Sequence, residues 1–241
     1  MNFFFWGLRR RGGFGAGLRR LAARDREKVV IAIQSYTRVG WLMGPSVRLA
    51  LRSLRTDYVD VLGLGWWNSM PPPRILDRAR ALKAKGLVRR LVISSHERTL
   101  LPRLAELEGI DGVMVRYNAA HPGAEREVFP HVGAGPAVLA FTATRWGSLM
   151  NPGLVPPGEA VPRASDCYRF ALSNPHVHAT LAGPKDGAEL DEALVALERG
   201  ALDPAEIAWM RRVGAEVRGD QKAHQAVGAI DKVRSRLFGA A

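Results

Sequence analysis

Apolar positions in this chain gather into short unbroken runs instead of alternating with polar ones. Residues 29–33, 59–64, 91–94, 112–115, 137–141 and 179–182 each hold a core of valine, isoleucine or leucine. A strand with one wet face shows a two-residue period, so runs lacking that period predict parallel strands covered on both sides. Residues 2–5 predict a further strand at the start.

The stretches between these runs carry helical spacing. Ser46 can cap a helix over 47–54, while Ile75, Leu76, Ala79 and Leu82 recur along one helix face until Gly86 ends it. Residues 98–108 and 187–197 follow the same pattern, and Asp203-Pro-Ala-Glu206 joins an N-cap to a first-turn proline and a capping-box glutamate. Strand-then-helix units repeated at this length predict parallel βαβ crossovers. The proline- and glycine-rich stretch 151–163 is expected as a surface loop ahead of a helix containing Cys167. No internal repeat and no long linker divides the chain, so a single domain over 1–241 is expected.

With 241 residues, 47% of them hydrophobic, the chain can bury one large core. A single α/β barrel of roughly 250 residues would use all of it. One cysteine, Cys167, leaves no disulfide framework and fits a reducing, cytoplasmic setting, and no Cys/His cluster predicts a metal site. The apolar run from Met1 to Trp6 is too short to cross a membrane, and its arginines follow the run where a signal peptide puts charge first. A net charge of +12 raises the question of an anionic partner. The excess is scattered through Arg9 to Arg11, Arg19-Arg20, Arg89-Arg90 and Arg211-Arg212, which predicts solvated faces and no specific nucleic-acid partner.

Several segments are similar, in order and spacing, to segments of the aldo-keto reductases. Residues 53–68, which contain Leu54-Arg-Thr-Asp-Tyr-Val-Asp-Val-Leu-Gly-Leu-Gly65, resemble the family signature LGTDYIDLYLIHWP. Residues 26–34 resemble REKVVIATK, 85–95 GKVRAIGVSN, 113–118 NQVEYN, 138–142 with Gly147 VLAYSPLARG, and 181–190 the cofactor-phosphate segment IPGARNPEQL. The resemblance implies an α/β fold, a TIM-type (β/α)8 barrel. It begins at the family's second strand, matched by residues 1–7, so the first β/α unit is missing and an upstream segment is expected.

In that family an Asp, a Tyr, a Lys and a His cooperate, the tyrosine giving a proton to the carbonyl oxygen as nicotinamide delivers hydride. The matching positions are Phe5, Arg10, Gln34 and Gly65, so all four family residues are replaced. Phenylalanine and glycine transfer no proton, and glutamine carries no charge. Gly65 is expected to open space beside Trp66 and Trp67. The resemblance also implies NADP or NAD as cofactor, with Ser94 and Ser95 at the nicotinamide carboxamide, Phe141 stacking on the ring, and Gly183 and Lys185 at the phosphates. The family's glutamine and adenine-reading asparagine fall on Met114 and Ala193.

Barrels place their sites at the C-terminal strand ends. The groups predicted there are Gln34, Ser35 and Tyr36, then Trp66, Trp67 and Asn68, then His96, followed by Arg116, Tyr117, Asn118, His121, Thr144, Arg145 and Trp146. His96 is the first candidate for a substitute acid/base, with Tyr36 or Tyr117 as hydroxyl donors; as a plain structural residue His96 would cap a helix or face solvent. Cys167, among apolar neighbours, is expected to pack and not to act as a nucleophile. Two functions follow: a divergent NAD(P)-dependent oxidoreductase acting on a small carbonyl or alcohol, or a non-catalytic barrel that binds a small molecule or a protein partner. The sequence names neither a substrate nor an oligomeric state.

Overall fold

Strand and helix alternate through residues 2–7 and 12–219, the part of the chain that the computed structural model describes. Strands β1 (Phe3–Trp6), β2 (Val30–Ser35), β3 (Val59–Leu64), β4 (Val88–Ser94), β5 (Gly112–Arg116), β6 (Ala137–Phe141) and β7 (Ala179–Thr180) lie in one sheet in chain order. β1 to β5 pair in parallel, with Phe5 beside Ala32, Gln34 beside Gly63 and Ser94 beside Met114. The seven strands fall on the seven predicted segments. β4 starts earlier than its apolar run because its first turn outward carries Arg89 and Arg90, exposed positions that hide the start of the strand.

The helices are α1 (Gly12–Arg24), α2 (Gly40–Leu54), α3 (Pro73–Ala84), α4 (Leu101–Ala105), α5 (Ala124–Glu127), α6 (Ala164–Leu172), α7 (Gly187–Arg199) and α8 (204–219). Gly86, in the left-handed region at φ 69°, follows α3 as expected. Two helices differ from prediction. α2 begins at Gly40 and carries Pro45 inside it, and Ser46 donates to the Met43 carbonyl at 2.8 Å instead of capping. The segment predicted over 98–108 is a 3-10 turn at Arg98–Leu100 followed by the short α4, with Pro102 in its first turn. No helix among the described residues is long and apolar enough to cross a membrane.

The residues group into two compact units, Met1–Val115 with Glu125–Leu139, and Arg116–Ala124 with Ala140–Ala241. In the first unit Ile31, Leu62, Leu64 and Ile93 are buried almost completely. The starts of its strands are tied by two carboxylates. Asp60 accepts from the Ile31 amide and from Arg26, both at 2.8 Å, and Asp111 accepts from the Leu91 amide at 2.7 Å and from Lys83 at 2.6 Å. Burial pushes Asp111 up, but hydrogen bonds from Lys83, the Leu91 amide and Arg90 outweigh it and hold the carboxyl below the usual range.

In the second unit a buried guanidinium, Arg169, joins α6 to α8 through two 2.7 Å bonds to Glu206. The predicted capping box of α8 is present: Glu206 N–H donates to Asp203 at 2.8 Å, and Asp203 N–H donates back to Glu206 at 3.1 Å. α8 comes so close to the loop after β5 that a β-carbon on Gly214 would stand 2.3 Å from the Ala119 carbonyl group. Gly17, within α1, has nothing inside 4 Å of that position. Gly214→Ala should therefore lower stability by about 1–3 kcal/mol through overpacking, whereas Gly17→Ala should raise it by up to ~1 kcal/mol. Thermal melts of the two variants beside the parent check the opposite signs.

Candidate functional site

The C-terminal ends of β2, β3 and β4 in the first unit bring together Gln34, Tyr36, Gly65, Trp66, Trp67, Asn68, Ser94, Ser95 and His96. The organising atom is Ser94 Oγ. It accepts the Trp66 amide at 2.9 Å and Gln34 Nε2 at 3.3 Å, while the Ser94 carbonyl accepts the Trp67 amide at 2.8 Å. Trp66 takes a left-handed backbone at φ 65°, a conformation that costs a bulky residue of order 1–3 kcal/mol and persists only when its neighbours hold it. Ser94 holds its N–H, and Arg38 holds its carbonyl.

Gly65 does not open a niche. A β-carbon there would lie 2.6 Å from Gln34 Nε2 and 2.7 Å from two ring carbons of Tyr36. The space expected beside the tryptophans is already filled by those two side chains, which reach across from the neighbouring strand end. A histidine at 65 would have to displace the end of the Gln34 side chain and the exposed Tyr36 ring. Phe5 is half-buried on β1, and Arg10 lies outside the described residues.

Arg38 is a group that sequence reasoning missed. Its guanidinium donates to the carbonyls of Tyr36 and Gly65 and stacks 3.9 Å over the Trp67 ring, with Trp67 itself buried. Its Gly65, Trp66 and Trp67 partners lie 27 to 29 positions away in the next loop, so no local spacing announces them. His96 is half-buried, with its ring 5.5 Å from the Trp66 ring at 60°, and its amide donates to Asn68 Oδ1 at 2.9 Å. Ser95 is 1% exposed. Its hydroxyl accepts the Glu97 amide at 2.9 Å and lies within hydrogen-bond reach of Asn68 Oδ1 and the Glu97 carbonyl, so it is engaged in shaping the turn. Tyr36 and Trp66 are both more than half exposed.

The second unit uses its strand-end groups in the same way. Tyr117 is in the core, its ring 5.6 Å from Phe170 and its hydroxyl accepting from Asn174 at 3.4 Å. Asn118 is fully buried, donating to the Thr142 carbonyl at 2.8 Å and accepting the His121 amide at 2.9 Å. Arg145 is buried and bonds the Val217 carbonyl, which anchors α8. Phe141 is half-buried, and Gly183 and Trp146 are exposed.

At the start of α7, Lys185 meets a carboxylate: its Nζ lies 2.7 Å from Glu189 Oε1, and its amide donates to Glu189 Oε2 at 2.8 Å. Asp186 caps the same helix by accepting the Glu189 amide. Hydrogen bonding by Lys185 holds the Glu189 carboxyl below its usual range. Two acids thus occupy the helix terminus where the resemblance implies an anionic phosphate, so the residues at this terminus do not fit that group without rearrangement.

Chemically, the first-unit strand tips offer an exposed aromatic face, an imidazole and a guanidinium already engaged with backbone. Gln34 and Gly65 supply no titratable group. Among the described residues no His, Cys, Asp and Glu cluster could hold a metal ion.

No protein-family model and no curated protein sequence matches the chain. Among solved structures it is similar to the aldo-keto reductase AKR11C1 from Bacillus halodurans in its holo form, at 18% identity and a TM-score of 0.73, covering 88% of this chain and 82% of that one. It is also similar to an aldo/keto reductase from Klebsiella pneumoniae in complex with NADP and acetate, at 21% identity and a TM-score of 0.72, covering 89% of this chain and 81% of that one. The likeness establishes the fold. This chain has the TIM-type α/β architecture of the aldo-keto reductases, as the segment resemblance implies.

Two outcomes test this geometry. Gly65→His should lower the melting temperature and create no carbonyl reduction, because the ring displaces Gln34 and Tyr36; unchanged stability would show that the niche is open. Cys167 is buried, and burial pushes its thiol from 9.0 up to about 12. It should stay unreactive toward a disulfide reagent at pH 8 until the protein unfolds. The unfolded thiol ionises near 9.0 while the folded one keeps its proton, so Cys167 should also contribute a loss of stability as pH rises from about 9 to about 12.

Proposed function

We propose that this protein is a divergent relative of the aldo-keto reductases that binds a small molecule without performing the family's carbonyl reduction. The observation that carries this reading is the arrangement of Gln34, Gly65 and Ser94: the amide of Gln34 bonds Ser94 and stands 2.6 Å from where a β-carbon at 65 would lie, so a side chain there would have to displace it. General acid catalysis needs a group that can hold and give up a proton next to the reacting oxygen, and the positions matching the family's lysine and histidine supply none. A single buried thiol fits a reducing, cytoplasmic setting.

A second reading rests on His96. An imidazole packed against the exposed ring of Trp66 could serve as a substitute acid/base in an NAD(P)-dependent oxidoreductase, and the Klebsiella neighbour is a complex with NADP.

Incubation with NADPH or NADH and a broad panel of aldehydes and ketones separates the two. The expected outcome is no cofactor oxidation above background, with no quenching of tryptophan fluorescence by millimolar NADPH. Turnover that falls about 100-fold or more in His96→Ala would instead establish the oxidoreductase and sink the proposal.

A further inference from the structure

We infer that a cavity in the first unit, where the first turns of α2 and α3 meet, binds a small phosphate-bearing molecule with a planar ring. The inference deepens the ligand-binding reading above by naming a ligand class. Apart from Arg38, it uses residues other than the strand-tip group.

The cavity is a cleft open to solvent of about 380 Å³, and Arg38, Trp41, Arg74 and Arg78 are among its walls. A space of that size exceeds a bare phosphate and suits a compact organic ligand. Arg26, Arg98, Arg169 and Arg212 each reach a carboxylate, at 2.8, 2.7, 2.7 and 2.5 Å, whereas Arg74 and Arg78 form no ion pair among the described residues. Arg78 Nε is buried with no hydrogen-bond partner. A buried donor left unsatisfied is costly, and a guanidinium more so.

The cationic groups also converge. Arg78 Nη2 and Arg48 Nη1 lie 3.0 and 3.2 Å from one point, the place where a β-carbon on Gly44 would stand. Two like charges brought this close favour an anion between or beside them. Neither α2 nor α3 has an acidic residue in its first turn or a side-chain cap, and the one acid on α3, Asp77, is paired with Arg80 at 3.2 Å. Arg38 adds field to the same wall while its own donors hold the Tyr36, Gly65 and Trp66 carbonyls.

Planar guanidinium forks match a phosphate better than a point charge does, and more than one of them favours a dianion. Trp41, 70% exposed on the cavity wall, offers an indole face on which a flat ring can stack. The concave shape favours a small molecule over a nucleic-acid strand, which would need an extended basic track.

Calorimetric titration of the full chain with AMP, ribose 5-phosphate and adenosine at low salt tests the assignment. AMP should bind, ribose 5-phosphate more weakly, and adenosine not at all. Arg74→Ala, at an exposed position where the fold tolerates change, and Arg78→Gln should each weaken AMP by about tenfold or more. Trp41→Ala should erase the preference for AMP over ribose 5-phosphate. No heat from millimolar AMP, or equal affinity in the parent and in both arginine variants, would overturn the inference. So would tighter binding of a single-stranded oligonucleotide than of AMP, lost in the same variants. A positive cofactor-oxidation assay would remove the non-reducing reading and leave the AMP result standing, so the two can fail separately.

Discussion

Buried parallel strands must satisfy their backbone where the ladders run out, and this requirement governs both ends of the sheet. An amide cut off from water and unpaired is destabilising by an amount comparable to a lost hydrogen bond. At the start of the strands the answer is a pair of acids, Asp60 on the Ile31 amide and Asp111 on the Leu91 amide, each neutralised by an arginine or lysine. At the other end it is a set of short neutral side chains: Ser94 on the Trp66 amide, Ser95 on the Glu97 amide, Asn68 on the His96 amide and Asn118 on the His121 amide.

That requirement changes what a resemblance at the strand ends means. Ser94 and Ser95 match positions that hold a nicotinamide in the aldo-keto reductases, yet both hydroxyls here are engaged in holding loops. A serine at the end of a buried strand can persist because the next loop needs an acceptor, whether or not a cofactor ever arrives. The same holds for Asn118 and Tyr117, which sequence position places at a site and burial places in the core. Retained polar residues are therefore weaker evidence for a retained activity than replaced ones are against it.

Legibility in the sequence followed the range of the physics involved. Strands declared themselves because burial on both faces removes the two-residue period, and the capping box of α8 declared itself because its two partners are three residues apart. The start of α2 did not, since Ser46 suggested a cap, whereas the helix begins at Gly40 and carries inside it Pro45, which has no N–H to give to the preceding turn. The arrangement of Arg38, with partners in the following loop, and the convergence of Arg48 and Arg78 from two helices were invisible for the same reason. Net charge reported an excess of cations without saying which lacked partners. Spatial pairing separates them: among the described residues Arg26, Arg98, Arg169 and Arg212 reach carboxylates, and Arg74 and Arg78 do not.

Gln34, Tyr36 and Gly65 are best understood as one unit. A glycine at 65 beside shorter neighbours would leave a cavity into which water or a ligand could enter. Because Gln34 Nε2 and the Tyr36 ring stand within 2.7 Å of the missing β-carbon, the vacated volume is filled from the neighbouring strand end, and Gln34 gains a bond to Ser94. The filled arrangement is self-consistent: the glutamine keeps position 65 small, and the small residue lets the glutamine reach Ser94. Restoring a family-like site would require changing both strand ends together, since a histidine placed against the present Gln34 and Tyr36 meets atoms, and a lysine at 34 with glycine at 65 still lacks its imidazole partner. The segment that most resembles the aldo-keto reductase signature is thus also the place where the first unit holds a different set of contacts.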